Sequence, residues 1–516
     1  MRDVSDTTAL AGLAPRLRAC FELHDYSIEG LAKALGPQAT AALNRSDAAG
    51  VRRSAVRAGS VGNLARLFIL GDELPRGEVE ALLGTGLVSD GISAGLLVGD
   101  DLIRADLDLR PVDLGDGNAC VFSDTDGAMA HRPTRPDHVL GVGQASLSLL
   151  NITPSSAVPS VLDLGTGCGV QLLNSLSVGS TGVGTDITPR CLDFAAATLA
   201  INERAAELLA GPWFDPVADR KFDRIVANPP FVVGTPEVGH TYRESGLELD
   251  GASETVISGA PRHLAPGGTA VMLASWVVRR DEDWRHRVSS WLPQEGVDAW
   301  VIQRDVSDPE LYVWTWLTDE GLDPREDGFA TEAEQWLAHF AANRVTGIGF
   351  GYVFVRSIDG PSSVLCEDLP HPFDSGLGDE AEAYFARNAW LREQTDLHGG
   401  DEAAVLDSTV FAVAPHVHVH ESIPLLPPTV EEPDPVIVVE RTTGPRWRHE
   451  IDSLGRSLLL GMRSGVLPLS DLVAIAALAA NIDPEKLSGP ARSAVSELFR
   501  HGIVIPAGVR GLTQKV

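Results

Sequence analysis

The spacing of apolar residues changes character several times along the chain. From about Leu10 to Leu87 they recur at helical intervals in short segments, SIEGLAKALG, AVRAGSVGNLARLFILG and EVEALLGTGL, punctuated by Gly and Pro. This predicts a small helical module over residues 1–95. Alternation around Asp100 to Leu109 predicts a hairpin within a β-rich connector, residues 96–135, giving helices followed by a two-stranded wing. From Pro136 to about Arg356 short β-rich runs alternate with helical stretches: SVLDL, STGVGTDI, FDRIVAN, GGTAVMLASW, DAWVIQRDV and GIGFGYVFV. Strands alternating with helices predict an α/β domain with a doubly wound, parallel sheet over residues 136–358. Glu332 to Ala342, before the last run, has helical character. Residues 359–440 are rich in Pro, Gly and acid and read as a loose connector holding one helix, Asp379 to Arg392, and a few strands. Helical spacing returns over residues 441–516 in SLGRSLLLGMRSGVLPLSDLVAIAALAA and GPARSAVSELFRHGIVI.

At 516 residues the chain is long enough for about three domains. With 44% hydrophobic and 22% charged residues it is globular rather than disordered. It holds no apolar run of about 18 residues, and MRDVSDTTALAGL lacks the basic-then-apolar order of a signal peptide, so a cytoplasmic protein away from membranes is expected. Five scattered cysteines, Cys20, Cys120, Cys168, Cys191 and Cys366, have no CxxC spacing and read as reduced thiols. The formal net charge of −30 speaks against nucleic acid when taken whole. It is unevenly spread. Residues 301–440 hold 27 Asp or Glu against 6 Lys or Arg, a net of −21, whereas 1–68 and 445–516 each hold 9 basic against 6 acidic residues. Resolved in this way, nucleic acid is an open possibility.

The strongest chemical signal is VLDLGTGCGV, Val161 to Val170, where an apolar strand ends in Asp163 and Gly165, Gly167 and Gly169 follow before a helix. Glycines there let the backbone turn sharply and a ligand lie against it without a Cβ in the way. Seventeen residues after Gly169, at the tip of the run TGVGTDI, stands Asp186, a carboxylate placed to accept both hydroxyls of a ribose. Capping the helix that begins at Pro189 is a compatible role for it.

The partner motif is FDRIVANPPF, Phe222 to Phe231. Consecutive prolines stop a strand ladder, fix two φ angles and expose carbonyls. The Asn228 side-chain oxygen and the Pro229 carbonyl can accept the two hydrogens of a planar NH2 group, with Phe231 offering a flat face to the conjugated system behind it. An ordinary strand-terminating loop is the bland alternative.

DLGTGCG, Asp186 and ANPPF, in this order, resemble the class I S-adenosylmethionine-dependent methyltransferases of the small-domain type, among them release-factor glutamine methyltransferases and enzymes that modify exocyclic amines of guanine or adenine. The resemblance covers roughly Pro136 to Arg356. It implies a Rossmann-like sheet flanked by helical modules, both of which resemble winged-helix units. It implies S-adenosylmethionine as cofactor, with Asp163, Gly165, Thr166, Gly167 and Gly169 around its methionine part and Asp186, with Ile187 beside it, at the ribose. Asn228, Pro229, Pro230 and Phe231 would grip the nitrogen acceptor, Asn228 also bordering the cofactor. Gly141 to Leu150 lies where such enzymes place a segment that closes over the cofactor, and Arg135 to Gly143 adjoins it. The glutamine enzymes' Pro-Arg-x-Glu-Thr-Glu element is replaced by RPDHVLGVGQAS, and Pro212 stands where relatives carry an acid for the adenine, so that Trp213 or Phe214 would flank that ring.

Further candidates are Tyr242 and Arg243, as substrate contacts or a solvated connector, and Tyr312, Trp314 and Trp316 of ELYVWTWL, which alternate as half-buried strand residues would, with stacking on a substrate as the alternative. His416, His418 and His420 of HVHVH fall on one face of a strand, a geometry that can touch a metal, but they read as the exposed face of an edge strand and no metal is expected. The resulting expectation is an N-methyltransferase acting on a planar nitrogen of RNA, DNA or protein. The mildly basic ends and the missing glutamine-enzyme element lean it to a nucleobase amine, with protein glutamine as the alternative. A nucleic-acid-binding regulator that senses the cofactor without turnover is the reading from another class. A helper subunit is compatible with either enzyme reading.

Overall fold

The computed structural model describes residues 9–115, 117–130, 135, 137–234, 246–319, 322–373, 376–423 and 435–513. It divides into two units, one of residues 1–150 and 157–370, the other of residues 151–156 and 371–516.

The first unit is organised around an eight-stranded sheet. Its strands are β1 (Ser160–Leu164), β2 (Thr181–Asp186), β3 (Glu207–Ala210), β4 (Phe222–Ala227), β5 (Leu264–Arg279), β6 (Glu295–Ser307), β7 (Val345–Pro361) and β8 (Ser363–Asp368). They lie in the order β8-β6-β7-β5-β4-β1-β2-β3. β1 to β5 are parallel to their neighbours in that group, whereas β7 runs antiparallel between β5 and β6. All six strand runs read from the sequence are present, and β3 and β8 are additions beyond them. The central strands are nearly continuous apolar runs, as burial on both faces requires. The chain moves outward from β1 to β2 and β3, then returns to place β4 on the other side of β1. This reversal opens a crevice beyond the carboxyl ends of β1 and β4, the usual ligand position in such sheets.

ELYVWTWL departs from its sequence reading. It forms a helix, Pro309–Asp319, not a strand; with a second helix, Asp327–Ala342, it makes a hairpin inserted between β6 and β7. Tyr312, Trp336 and Phe340 are buried in the core of this insertion, together with Val232 and Val233.

Ahead of the sheet lies a helical segment that begins with Ala9–Leu23 and ends in a winged-helix order. Helix Gly59–Phe68 leads to strand Leu74–Pro75, then to helices Arg76–Leu83 and Thr85–Ser93, and then to strands Leu97–Val98 and Leu102–Ala105. The last strand pairs with the other two. A hairpin of Leu107–Asp113 and Asn118–Asp124 follows. One apolar core runs from Leu10 and Leu17 through Phe68 and Phe122 to Phe194, Ala197 and Ile201 of the helix Pro189–Ile201.

In the second unit the helix expected at Asp379 to Arg392 spans Leu377–Leu397. It is followed by helices Ser453–Met462, Leu469–Ala480 and Pro484–Arg500, and strand Phe411–Val413 pairs with Val504–Pro506. Glu380, Arg387 and Arg441 are buried together, Arg387 Nη2 and Arg441 Nη2 each 2.6 Å from a Glu380 oxygen. The HVHVH run lies on an edge strand, Val417–Ser422, with His418 and His420 exposed and His416 just before it. Among the described residues no group of three His, Cys, Asp or Glu is placed to hold a metal ion, and no helix is long and apolar enough to cross a membrane.

Candidate cofactor and acceptor site

The site is built where β1 and β4 leave the sheet side by side. Asp163 pairs in register with Val226 and Leu164 with Ala227, so the glycine loop and the Asn-Pro-Pro-Phe loop start at the same level. Gly165, Gly167 and Gly169 all adopt positive φ, at 73°, 53° and 81°. Their surroundings differ. A Cβ on Gly165 or Gly167 would meet nothing within 4 Å, whereas one on Gly169 would come within 2.9 Å of the Ala195 backbone. The first two glycines thus leave open space over the loop, and the third allows helix Pro189–Ile201 to pack against it.

Asp163 is buried beneath the loop. One of its oxygens accepts from Thr166 Oγ1 at 2.7 Å and from the Leu172 amide at 3.0 Å. Burial pushes its carboxyl up to about 7, against the pull of these two donors, and the nearby Asp186 charge adds to the rise. Thr166 is itself buried, its amide bonded to the Thr185 carbonyl at 2.8 Å. Asp186 is half-buried at the tip of β2. Its two oxygens accept from the Gly167 amide at 3.0 Å and the Thr188 amide at 2.9 Å, so it ties the glycine loop to the start of the following helix. Burial raises its carboxyl too, opposed by those amides. Each oxygen retains a lone pair for a hydroxyl donor. Ile187 beside it is 62% exposed.

The segment Gly141 to Leu150 forms helix Gln144–Ile152 and is held to the glycine loop's helix, Val170–Ser175, by a bond from Gln171 Nε2 to the Ser146 carbonyl at 2.8 Å. Gln171 Oε1 is buried without a hydrogen-bond partner among the described residues. Phe214 is committed to the core, stacked on His263 at 4.6 Å, while Trp213 is half-buried with φ 48°.

In the Asn-Pro-Pro-Phe loop Asn228, Pro230 and Phe231 are half-buried and Pro229 is buried. Two prolines supply no amide donors, so the loop is fixed after them. Ser275 Oγ of β5 donates to the Phe231 carbonyl, and the Val233 amide donates to Tyr312 Oη at 2.7 Å. The Leu249 amide donates to the Gly234 carbonyl at 3.1 Å, and the Trp336 ring lies against Gly234. Ser275 is held in turn by Ser253 Oγ, which accepts its amide at 3.1 Å. Tyr242 and Arg243 lie outside the described residues. Gln171 and Ser275 carry no sequence signal of their own, and Tyr312 stands out only as part of an aromatic run whose alternation suggests a strand where the structure has a helix.

These residues fit the cofactor that the motifs imply. The loop is uncovered at Gly165 and Gly167, a carboxylate stands on either side of it, and Gln171 leaves a buried acceptor vacant at the base of the segment that adjoins it.

Comparison with known proteins agrees with this geometry. Residues 141–282 match the family described as methyltransferase small domain, while residues 23–106 and 382–506 each match a domain of unknown function. The release factor glutamine methyltransferase of Caulobacter vibrioides is 37% identical over 127 residues, 23% of this chain and 43% of that protein. The ribosomal RNA small subunit methyltransferase C of Enterobacter sp. (strain 638) is 36% identical over 138 residues, 26% of this chain and 36% of that protein. The chain thus spans less than half the length of these curated relatives. Among solved structures, the Thermus thermophilus 16S rRNA N2 G1207 methyltransferase in complex with AdoMet and guanosine is 20% identical, with a TM-score of 0.27 over 42% of this chain and 55% of that one. The match to the methyltransferase small domain thus takes in β1 to β5, the parallel part of the eight-stranded sheet, and both loops of the site.

Proposed function

We propose that the protein is an S-adenosylmethionine-dependent N-methyltransferase that acts on a planar nitrogen, in a nucleobase amine or a protein glutamine. The observation that carries this reading is the pairing of two loops at one crevice: the open glycine loop between Asp163 and Asp186, and beside it a proline-stiffened loop offering Asn228. A protein that only sensed the cofactor would need the first and not the second.

When bound, the cofactor supplies a methyl group on a sulfonium, which leaves with the displaced sulfur keeping the bonding electron pair. The chain's task is alignment and exclusion of water. Asp163 and Gln171 would face the amino-acid end of the cofactor, and Asp186 its ribose. The Asn228 side-chain oxygen and the Pro229 carbonyl would accept both hydrogens of the substrate nitrogen. A conjugated nitrogen is a poor nucleophile because its lone pair is delocalised. Acceptors on both hydrogens favour the pyramidal, positively charging nitrogen of the transition state over the flat ground state. The surplus proton departs to water after transfer. Phe231 would stack on the acceptor's flat group, which in a duplex would first have to be flipped out.

The test is transfer of labelled methyl from S-adenosylmethionine into RNA, DNA and protein fractions. Asn228→Ala is expected to cut transfer by about 100-fold or more while lowering cofactor affinity far less. Cofactor binding without transfer to any fraction would favour the sensor instead.

A further inference from the structure

The hairpin between β6 and β7 has two faces. The inner face of Pro309–Asp319 carries Tyr312, whose hydroxyl holds the acceptor loop at Val233, and Val313 and Leu317, which are buried with it. The outer face carries Leu311, Trp314, Thr315 and Thr318, spaced i, i+3, i+4 and i+7 and therefore on one stripe. Leu311 is 54% exposed and Trp314 50%. The two threonine hydroxyls are turned back onto the helix, Thr315 Oγ1 to the Leu311 carbonyl at 2.8 Å and Thr318 Oγ1 to the Trp314 carbonyl at 2.7 Å. With their hydroxyls spent there, the stripe presents methyl groups and an indole. An exposed aromatic on an apolar helix face is the composition of a docking anchor, not of a solvated surface.

The charge of the hairpin that carries this stripe selects its occupant. Asp308, Glu310 and Asp319 flank it on the same helix or its entry, and Glu326, Asp327, Glu332 and Glu334 follow on the second helix and its approach; all seven are exposed. None of the seven forms an ion pair among the described residues, and the two arginines of the hairpin, Arg325 and Arg344, are paired to Asp323 and Asp281. A phosphate backbone approaching the acceptor loop past this hairpin would be repelled, whereas a positively charged surface would be drawn in.

We propose that the outer face of this hairpin docks the methyl acceptor, and that the acceptor is a protein whose basic residues surround an apolar anchor. This rests on the methyl-transfer reading above and narrows its substrate to a protein side-chain nitrogen. The hairpin sets the substrate with its outer stripe and the acceptor loop with its inner one, so docking and alignment share one rigid element.

The experiment follows labelled methyl from S-adenosylmethionine into protein and nucleic-acid fractions with the full chain and two variants. The first, Trp314→Ala, removes the anchor; the second, Glu310→Lys with Asp319→Lys, reverses the flanking charge. The proposal expects label in the protein fraction, a KM for the labelled protein raised about tenfold by either variant with kcat and cofactor affinity unchanged, and a rate that falls with salt. Label in RNA or DNA, or transfer improved by the lysines, overturns the proposal and leaves methyl transfer standing. Label in protein with a KM that neither variant moves also overturns it. No label in any fraction, with cofactor bound, overturns the methyl-transfer reading itself and this proposal with it.

Discussion

Asp163 is the residue on which the site's pH behaviour turns. Its carboxyl rises from an ordinary value of 3.8 to about 7 on folding, because burial outweighs the Thr166 and Leu172 donors. The folded chain therefore holds a proton there that the unfolded chain releases. The stability this provides is full below about pH 4, and it is lost as pH rises towards and through 7. Asp163→Asn keeps an oxygen for Thr166 and Leu172 but cannot titrate, so thermal melts of the cofactor-free protein should lose part of their decline between pH 4 and 7. The cationic cofactor favours the ionised carboxyl, so its affinity for the parent chain should rise as pH passes from 6 to 8, and that dependence should weaken in the variant. Titration calorimetry across this range checks both signs. At Gly169 the constraint is steric. An alanine there would hold φ near 81° and drive its Cβ to within 2.9 Å of the Ala195 backbone. Together these should cost about 3 kcal/mol, read by denaturant unfolding. The motif was legible at this scale because it needs only local backbone chemistry. The orphan oxygen of Gln171 was not, since it depends on where another segment lies.

Among the elements, the hairpin between β6 and β7 shows how a pattern of period two can conceal a helix. Tyr312, Trp314 and Trp316 alternate as strand residues would, yet only Tyr312 and Trp316, four apart, belong to the buried side, while Trp314 points out. The signals that decide for a helix stood just ahead of the run. Asp308 caps it, accepting the Leu311 amide at 2.8 Å, and Pro309 fills the first helical position, where a missing amide costs nothing. The central strands β1 and β4 were legible because each is a largely apolar run ended by a motif. β8 was not, being short and half-exposed at the sheet's edge. Placement of Tyr312 gives the hairpin a measurable duty. Tyr312→Phe keeps the ring and its packing but strands the buried Val233 amide, at a cost of about 1–2 kcal/mol. Methyl transfer by that variant should drop several-fold in kcat, with cofactor affinity unchanged, because only the acceptor loop is loosened. An unchanged kcat would show that Ser275 and Leu249 suffice to hold it.

Across the whole first unit, an N-terminal module of this kind can serve in one of two ways, to read substrate or to brace the sheet. Its winged-helix order invites the first role; its chemistry favours the second. The helix that would enter a groove, Thr85–Ser93, contains no Lys or Arg, and its Asp90 is paired to Arg16 of helix Ala9–Leu23. The turn between the wing strands carries Asp100 and Asp101, which would meet phosphate with the wrong sign. The following hairpin is instead stitched to helix Pro189–Ile201 and its cap. The Phe122 amide donates to Thr198 Oγ1 at 3.0 Å, Asn202 exchanges bonds of 2.9 and 2.7 Å with the Cys120 backbone, and Asp124 pairs with Arg190. That same helix starts beside Asp186 and packs on Gly169, so the module buttresses the cofactor loop from behind. Two variants separate the readings. Asn202→Ala should destabilise the unit by about 2 kcal/mol and weaken cofactor binding several-fold, since the helix under the glycine loop loses its tether. Reversing the exposed pair Arg53 and Arg57 to Glu should leave the substrate's KM where it was. A module that read nucleic acid would give the opposite pattern: the arginine variant would lose substrate affinity and its salt dependence, and the Asn202 variant would retain both.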